Sequence, residues 1–572
     1  MHTLASHREL ERRTATAVGA VAVAVLVALS GCGPTSDGPD DDRAPSTSAG
    51  DSAAINDLPG RGVERFYRQD VTWTPCPSET YAGGPSGSPG DEGARRIIEC
   101  GTLAAPLDYA HPDGRQVQLA LIRARTPHTP DGRVGSVLVN PGGPGASGVE
   151  FVAGQIEQLA AGVGDRFDIV GFDPRGVGAS TPAIECLTAN ERDRRRASDS
   201  RADHTDAGIA RQEAQARDFA DKCLQRTGRD VLAYVGTADT VDDMDLLRQV
   251  LGDEKLTFLG YSYGTFLGAR YASKHPERVR AMILDGAVNP AENTATMTIN
   301  QYAGLQQAFS TYAADCATRR MTQCPLGTDP TPAVTTAAFQ QIVRPLIDRP
   351  AQAGSAGTAE AVAGRALTYG DAIDGTIQAL YSPSLWPYLT IGLQNLRDRG
   401  EGRTLMQLAD AYNNRHTDGT YSNATDALTA ITCLDTDPIT TAAAAGALAH
   451  KIRTVAPFTD DGRATPTPSP DGQAPAARDA CAFWPTPPTT LPQPSNPGPQ
   501  LPPVVVVSTT GDPATPYANG LALAQQLRGT VITVEGTQHT SSFTGTTCID
   551  QPLRTYLETG QPPAPGLTCA VQ

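Results

Sequence analysis

The sequence lacks the motifs of a zinc enzyme and the charge pattern of a nucleic-acid binder. It contains neither Cys-x-x-Cys nor His-Glu-x-x-His, so a zinc site of those common kinds is not expected. Its 62 acidic residues outnumber the 46 basic ones, and no basic stripe is present, which argues against a nucleic-acid partner. No repeat of about 20–50 residues is visible, which argues against a solenoid. At 572 residues, the chain can hold one large core or two domains.

Charged residues are missing from 14–29, an apolar run that three arginines precede: Arg8, Arg12 and Arg13. At about 16 residues, the run is shorter than the roughly 20 that span a bilayer, which favours a signal peptide at 1–31 over a retained anchor. It ends in Leu-Ser-Gly-Cys, which resembles a bacterial lipobox. We therefore expect an exported protein that carries a lipid on Cys32 and contacts the membrane only through that lipid. Plain secretion is the alternative.

Two segments have little to bury. Residues 32–57 are mainly Gly, Pro, Ser, Asp and Thr and predict a flexible linker. The proline-rich stretch at 465–500 carries Cys481, and we expect it to wrap the surface with that cysteine as its fixed point.

The cysteine count suits an oxidising compartment. Of eleven cysteines, ten remain after Cys32 is set aside, which is an even number. Spacing does not fix connectivity. As a hypothesis, they form five local disulfides from sequential couples: Cys76/Cys100, Cys186/Cys223, Cys316/Cys324, Cys433/Cys481 and Cys548/Cys569.

Short apolar runs alternate with helical patterns along most of the chain. Their near-continuous hydrophobicity is typical of parallel strands that are buried on both faces. The helical patterns include 240–251 and 264–275, the latter followed by Pro276. The sequence therefore predicts an α/β fold with a doubly wound, mostly parallel sheet. The predicted strands are 117–122, 136–140, 167–172, 256–259, 281–284, 504–508 and 531–534.

The stretch 290–432 is rich in alanine and poor in strand-like runs. It lies between two groups of predicted strands, where a helical lid over the strand ends would be inserted. We therefore divide the folded part into a first core segment at 58–289, a lid at 290–432 and a second core segment at 433–572.

Ser262 lies in the only Gly-x-Ser-x-Gly of the chain. An apolar run precedes it and a helical pattern follows, which is the sequence form of a nucleophile elbow. In so sharp a turn, side chains in place of the two glycines would collide with the neighbouring strand and helix. The pattern alone also occurs by chance on surface loops, so partner residues decide its meaning.

A strand–helix–strand unit near the C-terminal end supplies an acid and a base. The run 504–508 is followed by Asp512, and the run 531–534 by His539. Neighbouring parallel strands end at the same edge of a sheet, so we expect these side chains to lie together there. The order Ser, Asp, His is that of α/β-hydrolases.

Other residues are weaker candidates for the same roles. His416 and His450 lie in or beside the helical insertion, and His275 follows a helix. Asp435 and Asp437 compete for the acid, but neither follows a clear strand.

The run Asn-Pro-Gly-Gly-Pro-Gly at 140–145 follows a predicted strand. Its glycines leave bare backbone that can approach a substrate. We expect the amides of Gly143 and Tyr263 to bind an oxyanion. A phosphate loop is excluded, because its spacing and its lysine are absent.

Three motifs in this order resemble the secreted actinobacterial tripeptidyl aminopeptidases, which group with the prolyl iminopeptidases. They are the 140–145 run, Phe-Asp-Pro-Arg-Gly-Val-Gly-Ala-Ser at 172–180, and Gly-Tyr-Ser-Tyr-Gly-Thr at 260–265. The resemblance spans roughly 63–569. Asn140 replaces the histidine of prolyl iminopeptidases, as in the tripeptidyl group, and His539 lacks the glycine that commonly follows it.

This resemblance implies an α/β-hydrolase fold with a helical lid and a tripeptidyl-aminopeptidase-like region within 433–572. It implies a serine exopeptidase that removes short peptides, chiefly tripeptides, from free N-termini. Ser262 would be the nucleophile, His539 the base and Asp512 its orienting acid, with neither metal nor organic cofactor. The expected partners are peptide substrates. The sequence does not give the oligomeric state, and a monomer is the expectation.

A carboxylate should receive the substrate's ammonium group, because an unpaired buried charge is costly. The candidates are Glu150, Asp435 and Asp437. Phe266 and Tyr263 either line a pocket or belong to the core. Two rival functions stay open: a secreted carboxylesterase or lipase-like hydrolase with the same triad, and a non-catalytic surface-binding lipoprotein.

Overall fold

The computed structural model describes residues 60–77, 96–127, 132–318, 324–354, 364–466, 474–489, 491 and 498–571. The predicted signal peptide, Cys32 and the linker at 32–57 lie outside these residues. Within the described ranges, no helix has both the length and the apolar character needed to cross a membrane.

Ten of the strands form one sheet in the order β1-β2-β3-β5-β4-β6-β7-β10-β11-β12, and β8 pairs with β9 separately. Neighbours from β5 to β12 are parallel, whereas β1, β2, β3 and β5 pair antiparallel. The strands are β1 Thr74–Pro75, β2 Ile98–Pro106, β3 Gln116–Ala124, β4 Gly135–Asn140, β5 Phe167–Phe172, β6 Leu256–Tyr261, β7 Val279–Asp285, β8 Ala351–Gln352, β9 Ala366–Leu367, β10 Val505–Thr509, β11 Thr530–Glu535 and β12 Thr568–Ala570.

The helices fill the connections between these strands. They are α1 Glu64–Tyr67, α2 Gly148–Val163, α3 Ala189–Ala197, α4 Asp206–Arg226, α5 Arg229–Leu232, α6 Thr237–Val250, α7 Tyr263–Lys274, α8 Thr294–Thr318, α9 Pro332–Val343, α10 Tyr369–Leu380, α11 Trp386–Arg399, α12 Arg403–Tyr412, α13 Ala424–Asp435, α14 Ala442–Val455, α15 Tyr517–Leu527 and α16 Thr547–Thr559.

The predicted α/β fold with a mostly parallel sheet is confirmed, and each of the seven predicted strands is present. The two predicted helices are α6 and α7, with ends that differ by one to three residues. Strand β2 escaped prediction, although it pairs with β3 over nine residues. Its sequence mixes glycine, alanine, threonine and glutamate and shows no continuous apolar run.

The central strands are apolar throughout because helices cover both faces of the sheet. Strands β4, β5 and β6 are buried along their full lengths. Successive residues of β4 point to opposite faces: Leu138 packs in the layer of α6 and α7, whereas Val137 and Val139 pack in the layer of α2 and α16. Each such side chain contributes roughly 1.5–3 kcal/mol of transfer free energy.

The helices after β7 have a hydrophobic cluster of their own, which includes Phe309 of α8, Phe339 of α9 and Trp386 of α11. The small β8–β9 pair interrupts the helical stretch. Helix α13 extends past residue 432, and α14 beyond it packs on α8. The boundaries proposed for the lid and the two core segments stay a prediction.

The five cysteine couples form the five disulfides that the sequence analysis hypothesised: Cys76–Cys100, Cys186–Cys223, Cys316–Cys324, Cys433–Cys481 and Cys548–Cys569. Cys433–Cys481 ties the end of α13 to the described residues 474–489. In this segment the amide of Thr489 also donates to the carbonyl of Leu434, 2.7 Å away. The proline-rich stretch is thus fixed to the body at Cys481, as predicted.

Candidate active site

Ser262 forms a strained turn between β6 and α7. Its φ of 53° and ψ of −122° lie in a region that non-glycine residues rarely adopt. Its amide donates to the carbonyl of Asp285 at the end of β7, 2.8 Å away, and its own carbonyl accepts from the amide of Thr265. These bonds hold the turn in the conformation of a nucleophile elbow.

The glycines on either side of Ser262 are required by close packing. A Cβ on Gly260 would lie 2.5 Å from the carbonyl oxygen of Gly264. A Cβ on Gly264 would lie 2.7 Å from the carbonyl oxygen of Asn140, on the neighbouring strand. The steric reason predicted from the sequence is confirmed.

Asp512 and His539 are in direct contact at the same edge of the sheet. Nδ1 of His539 lies 2.9 Å from Oδ1 and 3.0 Å from Oδ2 of Asp512. The amides of Ala514 and Thr515 donate to the same carboxylate at 2.9 and 2.8 Å, which fixes its orientation. Both side chains are nearly inaccessible, at 2% exposure for Asp512 and 7% for His539.

The imidazole of His539 is held on several sides. Its main-chain amide donates to the carbonyl of Tyr381, 2.9 Å away, and the Tyr381 ring meets the imidazole edge to face at 5.4 Å. Thr515 Oγ1 lies 3.4 Å from Nδ1. A Cβ on Gly286 would lie 3.0 Å from the ring carbon Cε1, so Gly286 packs directly against the imidazole.

Thr540 occupies the position directly after His539, where glycine is the common residue. Its φ is +65°, the left-handed conformation for which glycine is the usual residue. Thr540 is 3% exposed, and its amide points to Asp512 Oδ2 at 3.4 Å. The loop therefore keeps a glycine-type geometry with a β-branched residue, at the expense of local strain.

The charge state of His539 reflects two opposing effects. Burial lowers its pKa, but the charge and hydrogen bond of Asp512, together with the charge of Asp285, outweigh burial and raise the pKa above its ordinary value of 6.5. The site therefore favours the imidazolium form that appears after a proton is taken from a nucleophile.

The glycine loop brings two unengaged amides beside Ser262. Gly142, with φ +97°, could carry no side chain, because a Cβ would lie 2.5 Å from the carbonyl of Tyr261. Asn140 Oδ1 accepts from the Gly142 amide at 3.0 Å and fixes the turn. No acceptor among the described residues meets the amide of Gly143 or that of Tyr263, the first residue of α7.

Helices after β7 close over these residues. A Cβ on Gly145 would lie 2.6 Å from the carbonyl of Ala424 at the start of α13. A Cβ on Gly304 of α8 would lie 3.0 Å from the carbonyl of Asp512. Gly145 therefore lies against the start of α13, and Asp512 lies against α8. His539 contacts Tyr381, directly after α10.

The predicted ammonium-binding carboxylates lie in different surroundings. Asp435 accepts from the amide of Thr237 at 2.9 Å and from its hydroxyl at 2.6 Å, and thereby caps helix α6. Burial raises the pKa of Asp435 to about 6. Glu150 and Asp437 are exposed. The structure does not bring these three carboxylates together.

Tyr263 and Phe266 pack against one another with ring centroids 5.9 Å apart. The Tyr263 hydroxyl lies 2.5 Å from Thr237 Oγ1. Tyr263 is thus packed into the body, and its amide is the group that faces the site. Across the described part of the chain, no group of three or more His, Cys, Asp or Glu could hold a metal ion.

Two residues that contact this site, Asp285 and Tyr381, were not predicted from the sequence. Asp285 directly follows the predicted strand 281–284 and precedes a glycine, a position at the carboxyl edge of such a sheet where ligand sites form. Tyr381 gave no sequence signal, because its contact with His539 depends on how α10 docks.

Two family models match parts of this chain, and several known proteins are similar to it along most of its length. Residues 135–325 match a family model described as α/β hydrolase fold, and 468–569 match one described as TAP-like protein. The chain is 46% identical over 513 residues to serine protease Hip1 of Mycobacterium tuberculosis, covering 89% of this chain and 92% of that protein. It is 45% identical over 476 residues to carboxylesterase B of the same species, covering 83% and 87%. It is 30% identical over 526 residues to tripeptidyl aminopeptidase of Streptomyces lividans, covering 88% of each.

Proposed function

This chain belongs to the α/β-hydrolase family that includes serine protease Hip1 and tripeptidyl aminopeptidase, and we propose that it is an exported serine exopeptidase releasing tripeptides from free N-termini. The near full-length similarity to a serine protease supports peptide hydrolysis. One observation carries the proposal: the Asp512–His539 hydrogen bond lies at the same edge of the sheet as the strained Ser262 turn.

The proposed reaction begins when Ser262 Oγ attacks the carbonyl carbon of the third substrate residue. His539 takes the hydroxyl proton, and Asp512 stabilises the imidazolium that results. The imidazolium then gives this proton to the leaving amine, the C–N bond breaks, and an acyl-enzyme remains. Water, deprotonated by His539, hydrolyses the ester and restores Ser262. The proton transfers in these steps use side chains and water alone.

A negative oxygen develops on the substrate carbonyl in both halves of this reaction. The unengaged amides of Gly143 and Tyr263 are the donors that we propose for it. Such donors act without reorganisation, and loss of one typically lowers kcat by about 10²–10³-fold. Asn140 supports them by holding the Gly142 amide.

Release of tripeptides requires a group that holds the substrate's ammonium at a fixed distance from Ser262. Of the carboxylates predicted from sequence, Asp435 is already engaged in capping α6, and Glu150 and Asp437 are exposed. Helix α10 offers a further carboxylate, Asp374, which lies on the same helix face as Tyr381, seven positions away.

The separation of these two residues matches the length of a tripeptide. Seven residues of helix rise roughly 10 Å, and three extended residues span about the same distance. Tyr381 contacts His539 at one end of this interval. We propose that Asp374 accepts the ammonium at the other end, so that α10 sets the length of the released peptide.

The surroundings of Asp374 suit one additional cation. Asp374 accepts from Arg201 at 2.9 Å and from the side-chain amide of Asn413 at 3.2 Å. Because Asp199 shares the guanidinium of Arg201 at 3.1 Å, two carboxylates pair with one cation, which leaves a net negative charge. Burial raises the pKa of Tyr412, and the charges of Tyr381 and Asp374 raise it further, so the Tyr412 side chain lies near both residues.

The proposed location is outside the cytoplasm. Five disulfides support an oxidising compartment. Export by the segment 1–31 and lipid attachment at Cys32 complete this proposal. Mass spectrometry of the mature N-terminus tests it, because a diacylated N-terminal cysteine and an unmodified cleaved N-terminus differ in mass.

A carboxylesterase is the second candidate function, favoured by the 45% identity to carboxylesterase B. Both functions use the same triad and differ in whether a free ammonium is needed. The test compares a tripeptide p-nitroanilide, its N-acetylated form and a p-nitrophenyl ester, with Ser262→Ala as the inactive control.

A peptidase of the proposed kind cleaves the free tripeptide anilide and loses most of that activity when the N-terminus is acetylated. Hydrolysis of the ester alone would establish the carboxylesterase. Equal cleavage of both anilides would contradict N-terminal recognition. A fluorophosphonate that fails to label Ser262 would leave only a non-catalytic binding protein.

A further inference from the structure

Asp285 connects the Ser262 turn with the loop that follows His539. Its main chain bonds to the turn, and its side chain bonds to the loop. Its carbonyl accepts the amide of Ser262 at 2.8 Å. Its carboxylate oxygen Oδ2 accepts the amides of Ser541 and Ser542 at 2.7 and 2.6 Å, two and three residues after His539. Asp285 is completely buried. A shift of either loop therefore breaks bonds to the other.

The carboxylate of Asp285 also lacks a cationic partner among the described residues. Oδ1 is buried without a hydrogen bond, which is unusual for a native carboxylate. A buried, unpaired carboxylate is costly, and burial raises the pKa of Asp285 to about 6, so the side chain carries its negative charge above that pH. The nearest positive charge that the reaction creates is the imidazolium of His539, whose ring carbon packs against Gly286, the next residue in the chain.

The titratable groups that face Asp285 come from four elements. Asp512 follows β10 and His539 follows β11, and the charges of Asp512 and Asp285 both favour a protonated His539. Tyr261 of β6 donates to the Ser542 carbonyl at 3.2 Å, and Asp550 of α16 accepts the Phe543 amide. Tyr261 stays neutral, because burial raises its pKa well above the ordinary value. None of these groups neutralises Asp285.

We propose that Asp285 is a positioning residue of the reaction, which fixes the His539 loop against the Ser262 turn and lends negative charge to the imidazolium. The inference rests on the proposed roles of Ser262 and His539, and it holds equally for a peptide and an ester substrate. Asp512 remains the residue that touches the imidazole, and Asp285 acts through the loop and through the electrostatic field.

The variant Asp285→Asn separates charge from geometry. An asparagine oxygen still accepts the two serine amides, so the loop is retained while the negative charge is lost. Asp285→Ala removes both. The measurement is the rate of Ser262 labelling by a fluorophosphonate between pH 5 and 9, which needs no knowledge of the natural substrate. Labelling follows the fraction of His539 that is neutral and able to act as base.

We expect Asp285→Asn to move the midpoint of this pH profile down by about half a unit or more, because one negative charge near the imidazole is gone. The labelling rate on the alkaline plateau should fall by about tenfold. Asp285→Ala should lose more than Asp285→Asn, since the loop is also released. The matched control is Asp253→Asn, which replaces a carboxylate that accepts the Ser136 amide at the opposite end of β4.

Asp253→Asn should lower thermal stability without moving the pH profile. If Asp285→Asn shows the wild-type midpoint and plateau, the inference is wrong. If Asp285→Ala alone is impaired, the hydrogen bonds to the loop are the whole contribution of Asp285, and the role of its charge is wrong. A wild-type protein that resists labelling would overturn the proposed role of Ser262 as well. If the wild-type protein is labelled normally, a failed prediction for the variants contradicts only the proposed role of Asp285.

Discussion

The main-chain amide of His539 donates a hydrogen bond to the carbonyl of Tyr381, 2.9 Å away. His539 belongs to a loop after β11, whereas Tyr381 directly follows the last residue of helix α10. This bond and the edge-to-face contact of the two rings make the position of the base depend on how α10 is docked.

Replacement of Tyr381 by alanine should therefore impair the base rather than the fold. The imidazole loses one packing partner, and we expect kcat to fall by about three- to tenfold. Tyr381→Phe keeps the ring and should restore the rate. Tyr388→Ala, on the 48%-exposed face of α11, is the control and should leave kcat unchanged. A Tyr381→Ala enzyme with the wild-type kcat would show that the ring contact has no role in catalysis.

Two aspartates compete for the role of acid, and their replacements should behave differently. Asp512→Asn should reduce kcat by about 10³–10⁴-fold, because His539 loses the partner that orients it and stabilises its charge. Asp435→Asn should retain triad activity and lose about 1 kcal/mol of folding free energy, since it weakens a helix cap. Steady-state kinetics and chemical denaturation test both. The reverse pattern would move the acid to Asp435.

Stability should rise as the pH falls from 8 to 5.5. Burial raises the pKa of Asp173, Asp285 and Asp435 to about 6 and that of Asp239 to about 7, and the pKa of His539 is also raised. A group with a raised folded-state pKa contributes stability that is fully present at low pH and lost as the pH rises through that pKa. We expect Tm at pH 5.5 to exceed Tm at pH 8 by a few degrees. A constant or falling Tm over this window would contradict these assignments.

Activity should change in the opposite direction over the same window. His539 acts as base only when neutral, and its pKa lies above 6.5 because Asp512 stabilises the charged form. The rate should therefore rise with pH through a midpoint above 6.5, while the protein becomes less stable. A midpoint below 6.5 would mean that burial outweighs the effect of Asp512.

Asp374→Asn should weaken the preference for free N-termini. The variant keeps the shape of the side chain and removes the proposed partner of the ammonium. We expect kcat/KM for a free tripeptide anilide to fall by about 10–100-fold, with hydrolysis of an uncharged ester unchanged. Asp371→Asn is the control, because Asp371 lies on the same helix but pairs with Arg196. Equal losses in both variants would indicate damage to α10 rather than loss of recognition.

The sequence was sufficient to predict the features that depend on short stretches of the chain. The apolar, β-branched runs predicted the buried strands. The strand–helix–strand unit with strands 504–508 and 531–534 predicted that Asp512 and His539 lie together at one edge of the sheet. Strand β2 escaped because its stability comes from pairing with β3, and its own residues show no apolar run. Asp285 and Tyr381 escaped because their roles depend on which strands are neighbours and on how a distant helix docks.

The most direct test of this account is product mass spectrometry on a library of unblocked peptides incubated with the wild-type protein and with Ser262→Ala. The account predicts tripeptides from the N-terminal end of each peptide, none from N-acetylated counterparts, and none with Ser262→Ala. Fragments from the C-terminal end, internal cleavage, or an intact library beside active ester hydrolysis would contradict it.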